Sequence, residues 1–157
     1  MIVVPYTYTM NTYTDEVWKE LPPIKTRTDV YNITGYEISN YGRLRTKRQQ
    51  YGRPRKDIGR RRDMEEYRLV KGRLDNYGYI QYSLYDDKKR KRNFRPHRLV
   101  MQAFVGYPEP GFDVICHYDD DKLNNHISNL RYGTQKDNIH DSIRNKTFRP
   151  GLKKSNI

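Results

Sequence analysis

Near the end of the chain, Cys116-His117-Tyr118 runs into Asp119-Asp120-Asp121, then Asn124-Asn125, Asn129-Leu130-Arg131-Tyr132 and Asp137-Asn138. His117 thus has one asparagine 12 residues on and another 21 residues on. An imidazole can take up a proton at neutral pH. A carboxamide can orient such a base, or offer its oxygen to a hard cation. A base, a group that orients it and a metal ligand are the parts that metal-assisted hydrolysis of a phosphodiester requires.

These residues need a scaffold that brings them to one spot, and the pattern predicts strand, loop, strand and helix. Residues 112–117 alternate: Phe112, Val114 and Cys116 share one face, Ile115 and His117 the other. Residues 119–125 are a polar loop that cannot continue a sheet. Residues 129–132 return as the second strand. Thr134 with Asp137 three residues on resembles a capping box and marks a helix start. On that helix Asn138, Asp141 and Ser142 share a face, while Ile139 and Ile143 are expected to form the buried side. About 33 residues are too few to fold without support.

The support is expected upstream. Pro96 suits the first position of a helix, and His97, Val100, Met101 and Phe104 follow at helical spacing, with Leu99 and Ala103 widening the apolar face. His97 is therefore expected to be a packed core histidine. Gly106, Pro108, Pro110 and Gly111 end that helix. Residues 77–95 read as a hairpin with Ile80, Tyr82 and Leu84 on one face and a turn beginning at Asp86-Asp87. Residues 36–46 read as a second hairpin turning at Asn40-Tyr41-Gly42. Residues 1–30, with Pro22-Pro23 as a breaker, are expected to be a loose arm with a short helix around residues 15–21. The end, residues 148–157, is a basic tail.

The chain of 157 residues carries 31 Lys+Arg against 19 Asp+Glu, a formal net charge of +12, which favours a polyanionic partner. The excess is local. Residues 43–73 hold 13 Lys/Arg and 4 acids, the signature of a segment that tracks phosphates rather than a merely solvated loop. Candidate nucleic-acid contacts are Arg43, Arg45, Lys47, Arg48, Arg53, Arg55, Lys56, Arg60, Arg61 and Arg62, joined by Lys89, Lys91 and Arg92 from a second basic block. Only 34% of residues are hydrophobic, which argues for small clusters rather than one large core, and 15 tyrosines can pack on one side and stack or hydrogen-bond on the other. A single cysteine excludes an internal disulfide and an all-cysteine zinc site, and fits a reducing compartment. The first residues show no secretory pattern and no segment approaches a membrane span, so a cytoplasmic protein is expected.

Together these segments resemble the HNH nucleases, whose core is the ββα-metal finger, and look most like the His-Asn-Asn branch found in phage and intron-borne homing endonucleases. His97-Arg98-Leu99-Val100 with Ala103-Phe104 is similar to the helix that precedes the finger in that branch. The stretch from Gly35-Tyr36 to Arg45 is similar to the nuclease-associated modular DNA-binding motif. In that motif a tryptophan usually lies nearer, whereas Trp18 stands 17 residues before Gly35.

The resemblance implies an α+β fold: an elongated small domain of β-hairpins, then a helix and a C-terminal ββα-metal finger. It divides the chain into an arm (1–30), a basic β-rich DNA-binding region (31–95), the nuclease region (96–147) and the tail. It implies a metal-dependent endonuclease that nicks duplex DNA as a monomer with Mg2+, or Mn2+. His117 would be the general base, Asn129 would hydrogen-bond the imidazole and fix its tautomer, and Asn138 would ligate the metal. Cys116 stands where the family often has an aspartate ligand. Either its thiol faces the core or it joins the ligand set, with Asp141 the nearest carboxylate to step in. Asp119, Asp120 and Asp121 are expected to be solvated or to hold the loop, His126 to be structural, and His140 to point away from Asn138. The alternatives are a DNA-binding protein with a degenerate finger and an RNA-binding module. The second lacks the Phe-rich strands of common RNA-recognition folds.

Overall fold

The computed structural model describes residues 13–47 and 67–148. In chain order the elements are β1 (Trp18–Glu20), β2 (Ile24–Lys25), β3 (Val30–Tyr31), β4 (Tyr36–Ser39), β5 (Leu44–Thr46), β6 (Arg68–Leu69), β7 (Arg73–Leu74), β8 (Ile80–Tyr85), β9 (Lys91–Phe94), α1 (Pro96–Phe104), β10 (Val114–His117), β11 (Leu130–Gly133) and α2 (Gln135–Arg144). They form antiparallel sheets ordered β1-β4-β5-β6 and β7-β8-β9, and two ribbons, β2-β3 and β10-β11. The fold is α+β, strands and hairpins followed by a helix and a ββα unit.

Helix α1 joins the upstream sheets to the ββα unit. It starts at Pro96, whose missing N–H costs nothing at a helix's first turn. Leu99, Val100 and Met101 are fully buried among Ile24, Ile38, Leu44, Leu84 and Leu130, and the helix touches β1, β4, β8 and β11. Gln102 is buried too. Its amide accepts from the Lys25 N–H at 2.9 Å and donates to the Lys25 carbonyl at 2.7 Å, doing for β2 what a neighbouring strand would.

A short helix expected around residues 15–21 is instead strand β1, paired Trp18↔Ser39 to Glu20↔Glu37. Asn40 explains the difference. Its side-chain oxygen accepts from the Val17 N–H at 2.8 Å and its amide donates to the Asp15 carbonyl at 3.2 Å, so the backbone there is extended and captured. This pairing also brings Trp18 to the hairpin, with the Arg45 guanidinium 4.3 Å from its ring centroid. The expected loose arm is therefore part of a sheet from residue 18 onward.

The second difference is in α2. Ile139 and Ile143, expected inside, are exposed, and the buried residue of the helix is Asp141. A carboxylate there forms ion pairs with Arg131 on β11 and with Arg144, and this polar face turns toward β10 and β11. Strand β10 begins at Val114, so Phe112, expected at its start, is exposed.

Candidate active site

His117 ends β10 opposite Leu130 of β11. Its ring is buried. Its Nε2 faces Oδ1 of Asn125 at 3.4 Å. The Asn125 amide nitrogen donates to the Leu123 carbonyl at 3.1 Å, with the Lys122 carbonyl at 3.5 Å, which fixes which way the amide points. Oδ1 can then only accept, so the imidazole carries its proton on Nε2 and keeps the Nδ1 lone pair. Burial pulls the His117 pKa below its ordinary value, against the hydrogen bond to Asn125 and the charges of Asp119, Asp121 and Asp120. The ring is therefore neutral at pH 7, the form a base needs.

The upstream hairpin supports this arrangement. Gly42, at φ +79°, lies so near Asn125 that a Cβ added there would sit 2.7 Å from the Asn125 Cβ and 3.3 Å from the Pro96 Cβ. Tyr82 donates its hydroxyl to the Gly42 carbonyl at 3.0 Å, and the Ile127 N–H donates to the Asn40 carbonyl at 2.9 Å.

Asn129 sits apart from the role expected of it. It has no hydrogen bond to His117. Its amide donates to Asp119 Oδ1 at 2.8 Å and to the Asn124 carbonyl at 2.9 Å, and its Oδ1 accepts from the Asp119 N–H at 3.2 Å. It staples the loop that presents Asn125, while Asn125 touches the ring. Asp119 is the other end of the staple. Burial pushes its carboxyl up, but hydrogen bonds from Asn124 and Asn129 outweigh this and hold it below its ordinary value. Asp120 accepts from Thr147 at 2.5 Å and Asp121 from the Leu123 N–H at 2.9 Å, so these acids shape the loop.

The capping box forms in full: Thr134 Oγ1 accepts from the Asp137 N–H at 3.2 Å, and Asp137 Oδ2 accepts from the Thr134 N–H at 2.7 Å. That start fixes the rotation of α2 and puts Asn138 at half-buried depth. The Asn138 carboxamide makes no side-chain hydrogen bond among the described residues. Cys116 is fully buried, on the side of β10 facing α2 rather than in the main apolar cluster. Burial is the main force pushing its thiol up, with the Arg131 charge opposing. Asp141 gives Oδ2 to Arg131 at 2.6 Å and Oδ1 to Arg144 at 2.9 Å, which occupies both oxygens. No group of three His, Cys, Asp or Glu side chains suited to a metal ion occurs among the described residues.

Two residues outside the expected set complete the site. His97 on α1 lies edge-on to His117, ring centroids 5.3 Å apart at 82°. Tyr79 lies edge-on to His97 at 5.4 Å and 6.2 Å from His117. The helical spacing already gave His97 as a packed residue, but nothing in it gave the contact with His117. Nothing singled out Asn125 among the loop asparagines.

The expected basic contacts divide. Arg43 pairs with Glu16, and Arg45 with Glu37 at 2.5 Å. Lys47 lies 4.7 Å from the Tyr67 ring centroid. Lys89 and Lys91 are exposed at and after the β8–β9 turn, and Arg92 lies over Tyr31. Arg48, Arg53, Arg55, Lys56, Arg60, Arg61 and Arg62 lie outside the described residues, as do most of the basic segment and of the tail. No helix among the described residues is long and apolar enough to cross a membrane.

A histidine on a ββα unit, backed by a loop of asparagines and acids, defines the class: a ββα nuclease finger. The sequence profile of the HNH endonuclease family matches residues 91–140, the span from β9 through the first half of α2. The uncharacterized HNH endonuclease L245 of Acanthamoeba polyphaga mimivirus is 34% identical over 119 residues, covering 76% of this chain and 28% of that protein. The SPbeta prophage-derived protein YosQ of Bacillus subtilis (strain 168), whose name places it among HNH homing endonucleases, is 39% identical over 62 residues, 40% of this chain and 35% of that one. A solved structure described as DNA binding and cleavage by the HNH homing endonuclease I-HmuI superimposes with a TM-score of 0.58 at 25% identity, over 85% of this chain and 61% of that one. The chain belongs to the HNH endonuclease family. It spans about a third of the length of the curated relatives it matches.

Proposed function

We propose that this chain hydrolyses a phosphodiester bond of duplex DNA with a divalent cation, Mg2+ or Mn2+, and that it nicks one strand as a monomer, in the manner of a homing endonuclease. The observation that carries the reading is the contact of His117 Nε2 with Asn125 Oδ1 at 3.4 Å on a ring whose pKa burial lowers, an arrangement that leaves Nδ1 as the base. Nδ1 accepts a proton from the attacking water, and Asn125 stabilises the imidazolium that results. Asn129 and Asp119 hold the loop so that this contact persists through the reaction. A bound divalent cation would supply charge stabilisation at the scissile phosphate and the leaving oxygen. The Asn138 carboxamide suits a hard cation, being half-buried on α2 and not engaged elsewhere. Cys116 offers only sulfur, and Asp141 is held by two arginines. The rest of such a cation's shell would then come from water and phosphate oxygens. The basic strands upstream and residues 48–62 would carry the DNA.

A second reading has one observation in its favour. With Cys116 in the place of a carboxylate ligand, the finger binds DNA without cutting it. Incubating supercoiled plasmid with the protein and Mg2+ or Mn2+, with and without chelator, separates the two. Metal-dependent conversion to open circles supports the nuclease; binding with no conversion in either metal supports the degenerate finger.

A further inference from the structure

Beside His97 lies a cavity of about 480 Å3, lined among the described residues by Thr26, Tyr31, Gln81, Asn93 and Phe94 and by the cationic side chains of Lys91, Arg92, Arg95 and Arg98. None of these described residues carries a carboxylate. Its size falls in the range of ligand cavities, and hydroxyls, amides and guanidinium groups make it a wall of donors.

The arginines are not equally satisfied. Arg95 is bound by Asp75 at 2.7 Å and lies over Tyr79. Among the described residues Arg92 has its nearest ion-pair carboxylate, Asp86, at 3.6 Å, but Asp86 already accepts from Arg90 at 2.9 Å, and the buried Arg92 Nε has no hydrogen-bond partner there. Arg98 is half-buried, and its side chain makes no ion pair or hydrogen bond among the described residues; the carboxylate in its field, Asp113, is bound by Arg27 at 2.8 Å. Burial is the main influence on the Arg98 guanidinium, drawing its pKa down. A half-buried guanidinium without a counter-charge is costly, and the cost is recovered when an anion arrives. Planar guanidinium groups bind phosphate oxygens in pairs. The His97 ring both lines this cavity and lies edge-on to His117, so the cavity is one side chain away from the proposed base.

We propose that this cavity seats a backbone phosphate of the bound DNA, distinct from the phosphate that is cut, with Arg98 and Arg92 as its principal ligands. The inference rests on the DNA reading above. A phosphate held there fixes the strand relative to the α1 N-terminus, and through His97 relative to His117.

The test uses the full chain in chelator, so that binding is read without cleavage. Duplex affinity is measured over a salt series for the wild type, Arg98→Gln and Arg98→Lys. Arg98→Gln keeps most of the stem and should flatten the slope of log affinity against log salt by about 0.9, the loss of one phosphate contact. Arg98→Lys should keep most of the slope. Duplexes with a single methylphosphonate, placed at each position in turn, then locate the contact. The wild type should lose roughly tenfold in affinity at a position away from the cut, the size of one charge-assisted bond, and Arg98→Gln should be indifferent there. Arg92→Gln, on the edge strand β9, repeats the test if Arg98→Gln does not fold. Unchanged slopes and an unchanged methylphosphonate profile in these variants, with wild-type binding intact, overturn the phosphate seat and leave the DNA reading standing. The seat is overturned equally if Arg98→Gln weakens only competition by inorganic phosphate. Failure of the wild type to bind any duplex overturns both.

Discussion

His97 should make this protein acid-labile in a way that one substitution removes. The residue is 9% exposed, and its Nδ1 is buried with no hydrogen-bond partner among the described residues. Burial first, then the neighbouring His117, Arg95 and Arg98, draw its pKa down to about 3 from an ordinary 6.5. The folded value lies below the unfolded one, so the unfolded chain takes up a proton first as pH falls. The neutral ring costs nothing above pH 6.5, and stability is lost progressively between there and the folded pKa. At pH 5, about 1.5 units below the unfolded value, the loss from this one group is about 2 kcal/mol relative to pH 7.5. Glu16, Glu37, Asp75 and Asp119, held below their ordinary values, also lose stabilisation in acid, but they titrate at lower pH. His97→Phe keeps a ring edge-on to His117 and removes the titrating group and its unpaired nitrogen. Urea unfolding at pH 7.5 and pH 5 should therefore show the variant gaining about 2 kcal/mol on the wild type over that interval. Parallel losses in the two proteins would refute the neutral, unpaired His97.

Three further outcomes follow from the site. Cleavage under single turnover should be flat in its His117 dependence around pH 7 and fall in acid, because a neutral Nδ1 is required and the His117 pKa is depressed; an acid limb with its midpoint above 6.5 would contradict that. Asn125→Ala should slow cleavage by about 10- to 100-fold under conditions where the variant is fully folded, whereas Asn129→Ala, which cuts three loop bonds, should lose about 2 to 3 kcal/mol of stability by chemical denaturation. Asp141→Ala should destabilise by about 3 kcal/mol, since it leaves Arg131 without its partner, and should not alter the metal concentration needed for half-maximal cleavage; a marked rise in that concentration would make Asp141 a ligand instead.

The legible parts of this chain were those set by local chemistry. Thr134 and Asp137 cap α2 because a capping box is complete within four residues. Pro96 and the apolar spacing after it fix α1. Asn40-Tyr41-Gly42 fixes the turn of the first hairpin, where Gly42 takes φ +79°. What could not be read depends on partners far away in the chain. Residues 18–20 carry no useful alternation and become a strand only because residues 37–39 and Asn40 accept them. Ile139 and Ile143 turn outward because the inner face of α2 is taken by Asp141, which answers Arg131 across the unit. Within the site, the spacing brought His117, Asn129 and Asn138 into one ββα unit. It could not distinguish which asparagine touches the imidazole, because Asn125 reaches the ring through the turn of its own loop and the approach of Gly42.

The most direct measurement is nicking of supercoiled plasmid by His117→Ala, with duplex affinity measured on the same preparation. With His117 as the base and the basic strands as the binding surface, Mg2+- or Mn2+-dependent nicking disappears while affinity stays close to wild type. A variant that nicks at the wild-type rate would remove His117 from the chemistry and contradict the account.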